Sequence, residues 1–256
     1  RRAMRSFAGL GKKMTLTAIP LALGAMFNKA YSQSTNPAVL DVLNFALTLE
    51  YLEYRFYQKA VSTANLIPSG AALTAITSIR DNEQAHVNFL KATITALGGT
   101  PVSEPVFDFT GGNGSNNGPF KMVFTDYPTF LAVAQTFEDT GVRAYKGQAG
   151  ALLMTGDILE AALNIHSVEA RHASHIRQMR RFGLNADVKP WITGKDTGGI
   201  GAIVQPSYEG EEITTQAGVN IVNIGSQSVS ADAASEAFDE PLSKTQVLAI
   251  VDPFIV

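Results

Sequence analysis

The sequence predicts an all-α fold: a four-helix bundle with one long crossover connection, followed by an irregular C-terminal extension of short strands and helices. Three observations predict it. One pattern occurs twice, a lone Glu and later a Glu-x-x-His. Glu50 stands 33 residues before Glu83, which opens Glu83-Gln84-Ala85-His86, and Glu138 stands 31 residues before Glu169, which opens Glu169-Ala170-Arg171-His172. Apolar residues around these motifs step by three and four, the helical period. Between the two copies lies a stretch, residues 98–126, whose GGNGSNNG run suits neither helix nor regular strand.

The first helix is expected over residues 37–60, with Pro37 at its first position behind Asn36. Leu40, Leu43, Leu47, Tyr51 and Tyr54 mark its apolar stripe. A second helix is expected over residues 69–97, stopped by Gly98-Gly99. A structureless connection as long as the one that follows normally counts against an assignment. Here it supports the assignment, because a four-helix bundle of this kind has one long crossover along its length. The third helix is expected behind Asp126 over residues 128–148. The fourth is expected over residues 157–182, ended by Gly183. Beyond it, residues 202–204 and 218–224 read as extended, and residues 231–238 and 244–251 as short helices.

Positions i and i+3 of a helix share a face, so Glu83 and His86 aim at one point, as do Glu169 and His172. With Glu50 and Glu138 they make four carboxylates and two imidazoles, the set that holds two metal ions inside a four-helix bundle. Buried charges of this number are costly without cations among them. In this reading Glu83 and Glu169 bridge the two metals, Glu50 and His86 complete one shell, and Glu138 and His172 complete the other. Each lone Glu has a Tyr seven residues on, Tyr57 and Tyr145, nearly two turns along the same face. These are expected to donate their hydroxyls to a ligating carboxylate across the bundle. Glu53, one turn past Glu50, is expected beside the ligands. His166 and His175 are read as capping or solvated, and Arg55 and Arg143 as surface or inter-helix ion-pair partners.

Carboxylate and imidazole donors suit iron or manganese, and the absence of Cys removes every thiolate site and every disulfide. At 45% apolar residues the chain can fill a sizeable core, and a net charge of −3 argues against a nucleic-acid partner. Residues 1–32 read as an export signal or an N-terminal helix. Arg1, Arg2, Arg5, Lys12 and Lys13 precede an apolar run over residues 14–27, and the small residues Ala30 and Ser32 follow. The Arg1-Arg2 pair points to a twin-arginine-type route to the periplasm or cell surface, although Arg5 stands where that signal usually carries an apolar residue. A retained segment would contact a membrane surface or a second subunit.

Residues 37–183, which carry both motifs, resemble the ferritin-like superfamily of ferritins, rubrerythrins and manganese catalases. Residues 43–57 (LNFALTLEYLEYRFY) and 234–241 (ASEAFDEP) are similar to the desiccation-related ferritin-like proteins. The resemblance implies a bundle over residues 33–183, an extension over 184–256 packed on it or on a partner, and a homo-oligomer. It also implies two-electron chemistry on dioxygen or peroxide, of ferroxidase, peroxidase or catalase type. The alternative it leaves open is a structural or stress-protective protein in which the metals only stabilise the bundle.

Overall fold

The computed structural model describes residues 36–256. The segment read as an export signal or N-terminal helix lies outside them. No helix among the described residues is long and apolar enough to cross a membrane.

Four long helices form the bundle: α1 (Pro37–Ser62), α2 (Ala71–Ala96), α3 (Tyr127–Ala149) and α4 (Asp157–Leu184). The start of each has a local cause. Asn36 accepts from the Ala38 amide with Pro37 behind it, and Asp126 accepts from the Thr129 amide at 2.9 Å. α2 and α4 begin after glycines in positive-φ backbone, Gly70 and Gly156. α4 continues through Gly183, expected to end it, and stops two residues later at Asn185, whose left-handed backbone (φ 56°) closes the helix with a bond from its amide to the Arg180 carbonyl.

α1 packs along α2, and α3 along α4, as two antiparallel hairpins. Their facing stripes build two apolar clusters with the polar site between them. One is aromatic: Phe56 stacks on Phe130 and meets Phe137 edge-on, both at 5.1 Å, and Phe137 meets Phe254 at 4.9 Å. The other holds Leu43, Leu47, Leu90, Ile94 and Ile165. Each such side chain contributes about 1.5–3 kcal/mol when fully buried, so the clusters can carry a polar layer between them.

The crossover is ordered by one carboxylate. Asp108 accepts from the amides of Thr110, Gly114 and Asn116 and from the Thr110 hydroxyl, which winds the Gly/Asn-rich run into a tight loop. These bonds hold the Asp108 pKa below the usual carboxylate range, against the effect of its burial. The loop is then tied to the last residues of the chain. Phe107 pairs with Ile255, the Asp108 amide donates to the Phe254 carbonyl, and the Val256 amide donates to Val106.

The extension lies over α3. Residues 202–204, expected to be extended, instead open a 3-10 helix, Ala202–Ser207, in which Pro206 leaves no amide for a strand ladder. Of the region expected to be extended at 218–224, only β2 (Val219–Asn220) is strand, paired with β1 (Thr215–Gln216) through an Ala217-Gly218 turn, and Ile224 opens a short 3-10 helix. Two short helices follow, α5 (Ala231–Ser235) and α6 (Lys244–Val251). Arg143 of α3, expected at the surface or between helices, is fully buried and fastens this extension. Its guanidinium donates to the carbonyls of Ser207, Glu209 and Glu240 and pairs with Glu211 at 2.7 Å. Burial governs both partners, pushing Arg143 down and Glu211 up to about 7. Gly147, one turn further along α3, allows the close approach, since a Cβ there would sit 1.9 Å from the Leu242 carbonyl oxygen.

Candidate metal centre

All six expected ligands meet in one buried layer: Glu50 from α1, Glu83 and His86 from α2, Glu138 from α3, Glu169 and His172 from α4. They form two overlapping sets. Glu50, Glu83, His86 and Glu169 each place a donor atom within 4.8 Å of the others, and so do Glu83, Glu138, Glu169 and His172. Glu83 and Glu169 belong to both sets. Nδ1 of His86 lies 3.1 Å from oxygens of Glu50, Glu83 and Glu169. Nδ1 of His172 lies 2.8 Å from Glu83 and 3.4 Å from Glu138.

The two halves hold each other. Tyr57 on α1 donates its hydroxyl to Glu138 on α3, and Tyr145 on α3 donates to Glu50 on α1. Burial, then the adjacent carboxylate, pushes both phenols well above their ordinary pKa, so they stay donors. His172 has a further partner that spacing did not show. Its Nε2 lies 3.1 Å from Oδ1 of Asn82, which fixes the ring with Nδ1 facing the carboxylates. Asn82 immediately precedes Glu83, whereas the matching position before Glu169 is Val168, so no repeated signal marks it.

Glu53 is also buried and faces this layer, but it joins neither four-donor set. It sits opposite Gly141, where a Cβ would come 3.0 Å from its carboxylate oxygen and 3.7 Å from Glu169. His166 lies 3.0 Å from the Val142 carbonyl and His175 is exposed; neither reaches the centre. Asp139, next to Glu138, points away and forms a two-point pair with Arg177. Arg55 pairs with Glu104 of the crossover at the surface.

The donor atoms fit a pair of cations on two counts. Glu83 Oε1, Glu138 Oε2, both oxygens of Glu169 and Nδ1 of His172 are buried without a hydrogen-bond partner, although several lie close together. Buried polar atoms that converge without bonding one another are what ligands around an ion look like. The charge also balances: four carboxylates and two neutral imidazoles neutralise two divalent ions. Without cations the layer must share protons instead. Burial and Glu169 push Glu83 well up, and burial takes Glu138 to about 7 against the pull of His172. Burial opposes charge on the histidines, yet the carboxylates raise His172 to about 12 and His86 further still. Glu169, between the two rings, is held well below the usual carboxylate range despite its burial.

Helix pairing, crossover and buried Glu/His layer together define a ferritin-like domain whose site is compatible with a di-metal carboxylate centre. A family model of the ferritin-like domain matches residues 38–181, more than half of the chain, and the chain belongs to that family. No curated protein matches it.

Proposed function

We propose that this protein is a di-iron or di-manganese carboxylate protein acting on dioxygen or hydrogen peroxide. The observation that carries the reading is the pair of four-donor sets sharing Glu83 and Glu169. Glu83 and Glu169 would bridge the ions, Glu50 with His86 would hold one, and Glu138 with His172 the other. Bound as adjacent Fe2+ or Mn2+ ions, the metals supply two electrons, enough with two protons to take dioxygen to hydrogen peroxide or peroxide to two waters. The chain supplies the setting. Tyr57 and Tyr145 hold the outer carboxylates in place, each with a proton at its hydroxyl. Asn82 sets the tautomer of His172. The two apolar clusters keep bulk water from the layer, which strengthens every electrostatic contact inside it.

The test is elemental analysis of protein purified from its native host, followed by consumption assays with dioxygen and with peroxide. Two equivalents of iron or manganese per chain and turnover of either oxidant are expected. Metal-loaded protein that consumes neither overturns the oxidative reading and leaves metals that only staple the bundle.

A further inference from the structure

A narrow apolar cavity of about 20 Å³ lies inside the bundle beside the metal layer. Its place follows from helix periodicity. Ala46 stands four residues before Glu50, Leu90 four after His86, and Ile165 four before Glu169, so each points the same way as a ligand, one turn along. Tyr145, whose hydroxyl is given to Glu50, forms the inner wall. At the outer end stand Phe89, Gln148 and Ala162, all half-buried, so the cavity leads from the surface toward Glu50.

We propose that this shaft is the path by which dioxygen reaches the Glu50–His86 side of the centre, an inference that rests on the di-metal reading above. The volume suits one small molecule, since a space of about 10–15 Å³ already holds a single water. The lining decides which molecule. A buried water needs two to four polar partners. Here only Tyr145 and Gln148 carry polar side-chain atoms, and the Tyr145 hydroxyl is already committed. Water and hydrogen peroxide would each give up their hydrogen bonds on entering, whereas dioxygen has none to lose. Peroxide, disfavoured in the shaft, would have to reach the layer elsewhere; of the six ligands only His86 at 9% and His172 at 6% have any exposure, beside the exposed Asn82.

Xenon reports the cavity without any metal. Crystals of the metal-free protein under xenon pressure should show a bound atom between Leu43, Leu90 and Ile165. Ala162→Leu at the half-buried rim, and Ala46→Leu deeper in, should each abolish it. Both variants should still bind two metals per chain, which shows that the fold and the ligands are intact. In the Fe2+-loaded protein, oxidation by dioxygen should slow at least ten-fold in both variants, with oxidation by peroxide unchanged. No xenon in the wild-type shaft overturns the proposal, as does an unchanged dioxygen rate in variants that have lost the xenon. Equal slowing of both oxidants overturns it too. Xenon in the shaft of a protein that takes up no iron or manganese sinks the di-metal reading instead, and the assignment to dioxygen with it.

Discussion

Tyr145 of α3 donates its hydroxyl to Glu50 of α1, so the outer carboxylate of one half of the centre is held by the other half. Tyr57 returns the same bond to Glu138. Removing one hydroxyl frees one carboxylate oxygen and leaves the packing of the ring in place. Tyr145→Phe is expected to weaken the metal held by Glu50 and His86 by about 10–100-fold, the usual loss for an outer hydrogen bond to a ligand. Tyr57→Phe should do the same at Glu138 and His172. Titration calorimetry with Mn2+ checks this, and two unchanged binding steps in both variants would contradict it.

Glu83 carries a second expectation, because it belongs to both donor sets. Glu83→Gln keeps the shape and deletes one oxygen of a carboxylate that both sets share. Metal-loaded stability should fall, since each site filled to 100 times its Kd contributes about 2.7 kcal/mol. Metal-free stability should hold, because burial and Glu169 push the Glu83 pKa well up, so that without metal the amide replaces a carboxyl that already favours its neutral form. Thermal melts with and without metal separate the two effects. A variant whose metal-free form melts far below wild type would show that Glu83 serves packing and not ligation.

Gly147 governs the docked extension. In an ordinary helix Gly→Ala stabilises by about 0.8–1 kcal/mol. At Gly147 the new Cβ meets the Leu242 carbonyl at 1.9 Å, so the extension must move. Gly147→Ala is expected to cost about 1–3 kcal/mol, the range for overpacking, with faster amide exchange over residues 240–251. Gly150→Ala is the control, because nothing lies within 4 Å of that position. A stabilised Gly147→Ala chain with unchanged exchange would refute the contact.

Glu211 predicts a pH dependence. Burial raises its carboxyl from 4.5 to about 7, against the pull of Arg143. Between those values the folded chain keeps a proton that the unfolded chain has lost. The stability this gives is complete below pH 4.5 and is lost as pH rises through 7. Glu211→Gln keeps the neutral form at every pH. Its stability relative to wild type should therefore climb by about 3 kcal/mol between pH 4 and 8, by the conversion of pKa shift to free energy. Urea titrations at both pH values check this; parallel pH profiles of the two chains would count against it.

The centre was legible because its information is local and repeated. Glu-x-x-His puts two donors on one helix face whatever surrounds the helix, and the second copy, with its Tyr at the same offset, says that the faces meet. Glu53 was legible only as a neighbour; Gly141, the space that lets it approach, sits three residues after Glu138 with no motif around it. Asn82 left no sign, because its partner is on another helix and the repeat lacks its equivalent. The extension was the least legible part. Its order comes from carbonyls gathered by Arg143 and from the absent side chain of Gly147, and such contacts have no sequence period. In residues 202–204 apolar composition favours a strand, but among the described residues no strand pairs with them, and Pro206 completes a 3-10 turn instead.

The pairing of Phe107 with Ile255 has a consequence for the order in which the chain folds. The two residues are separated by roughly 150 positions, a loop whose closure is slow compared with the making of a helical hairpin. The α1–α2 and α3–α4 hairpins need only their own neighbours. The strap over residues 106–113 must wait for residues 253–256, which lie far beyond both hairpins in the sequence. Assembly therefore has a built-in late step, one that begins with two hairpins already formed and ends when residues 253–256 close over the crossover.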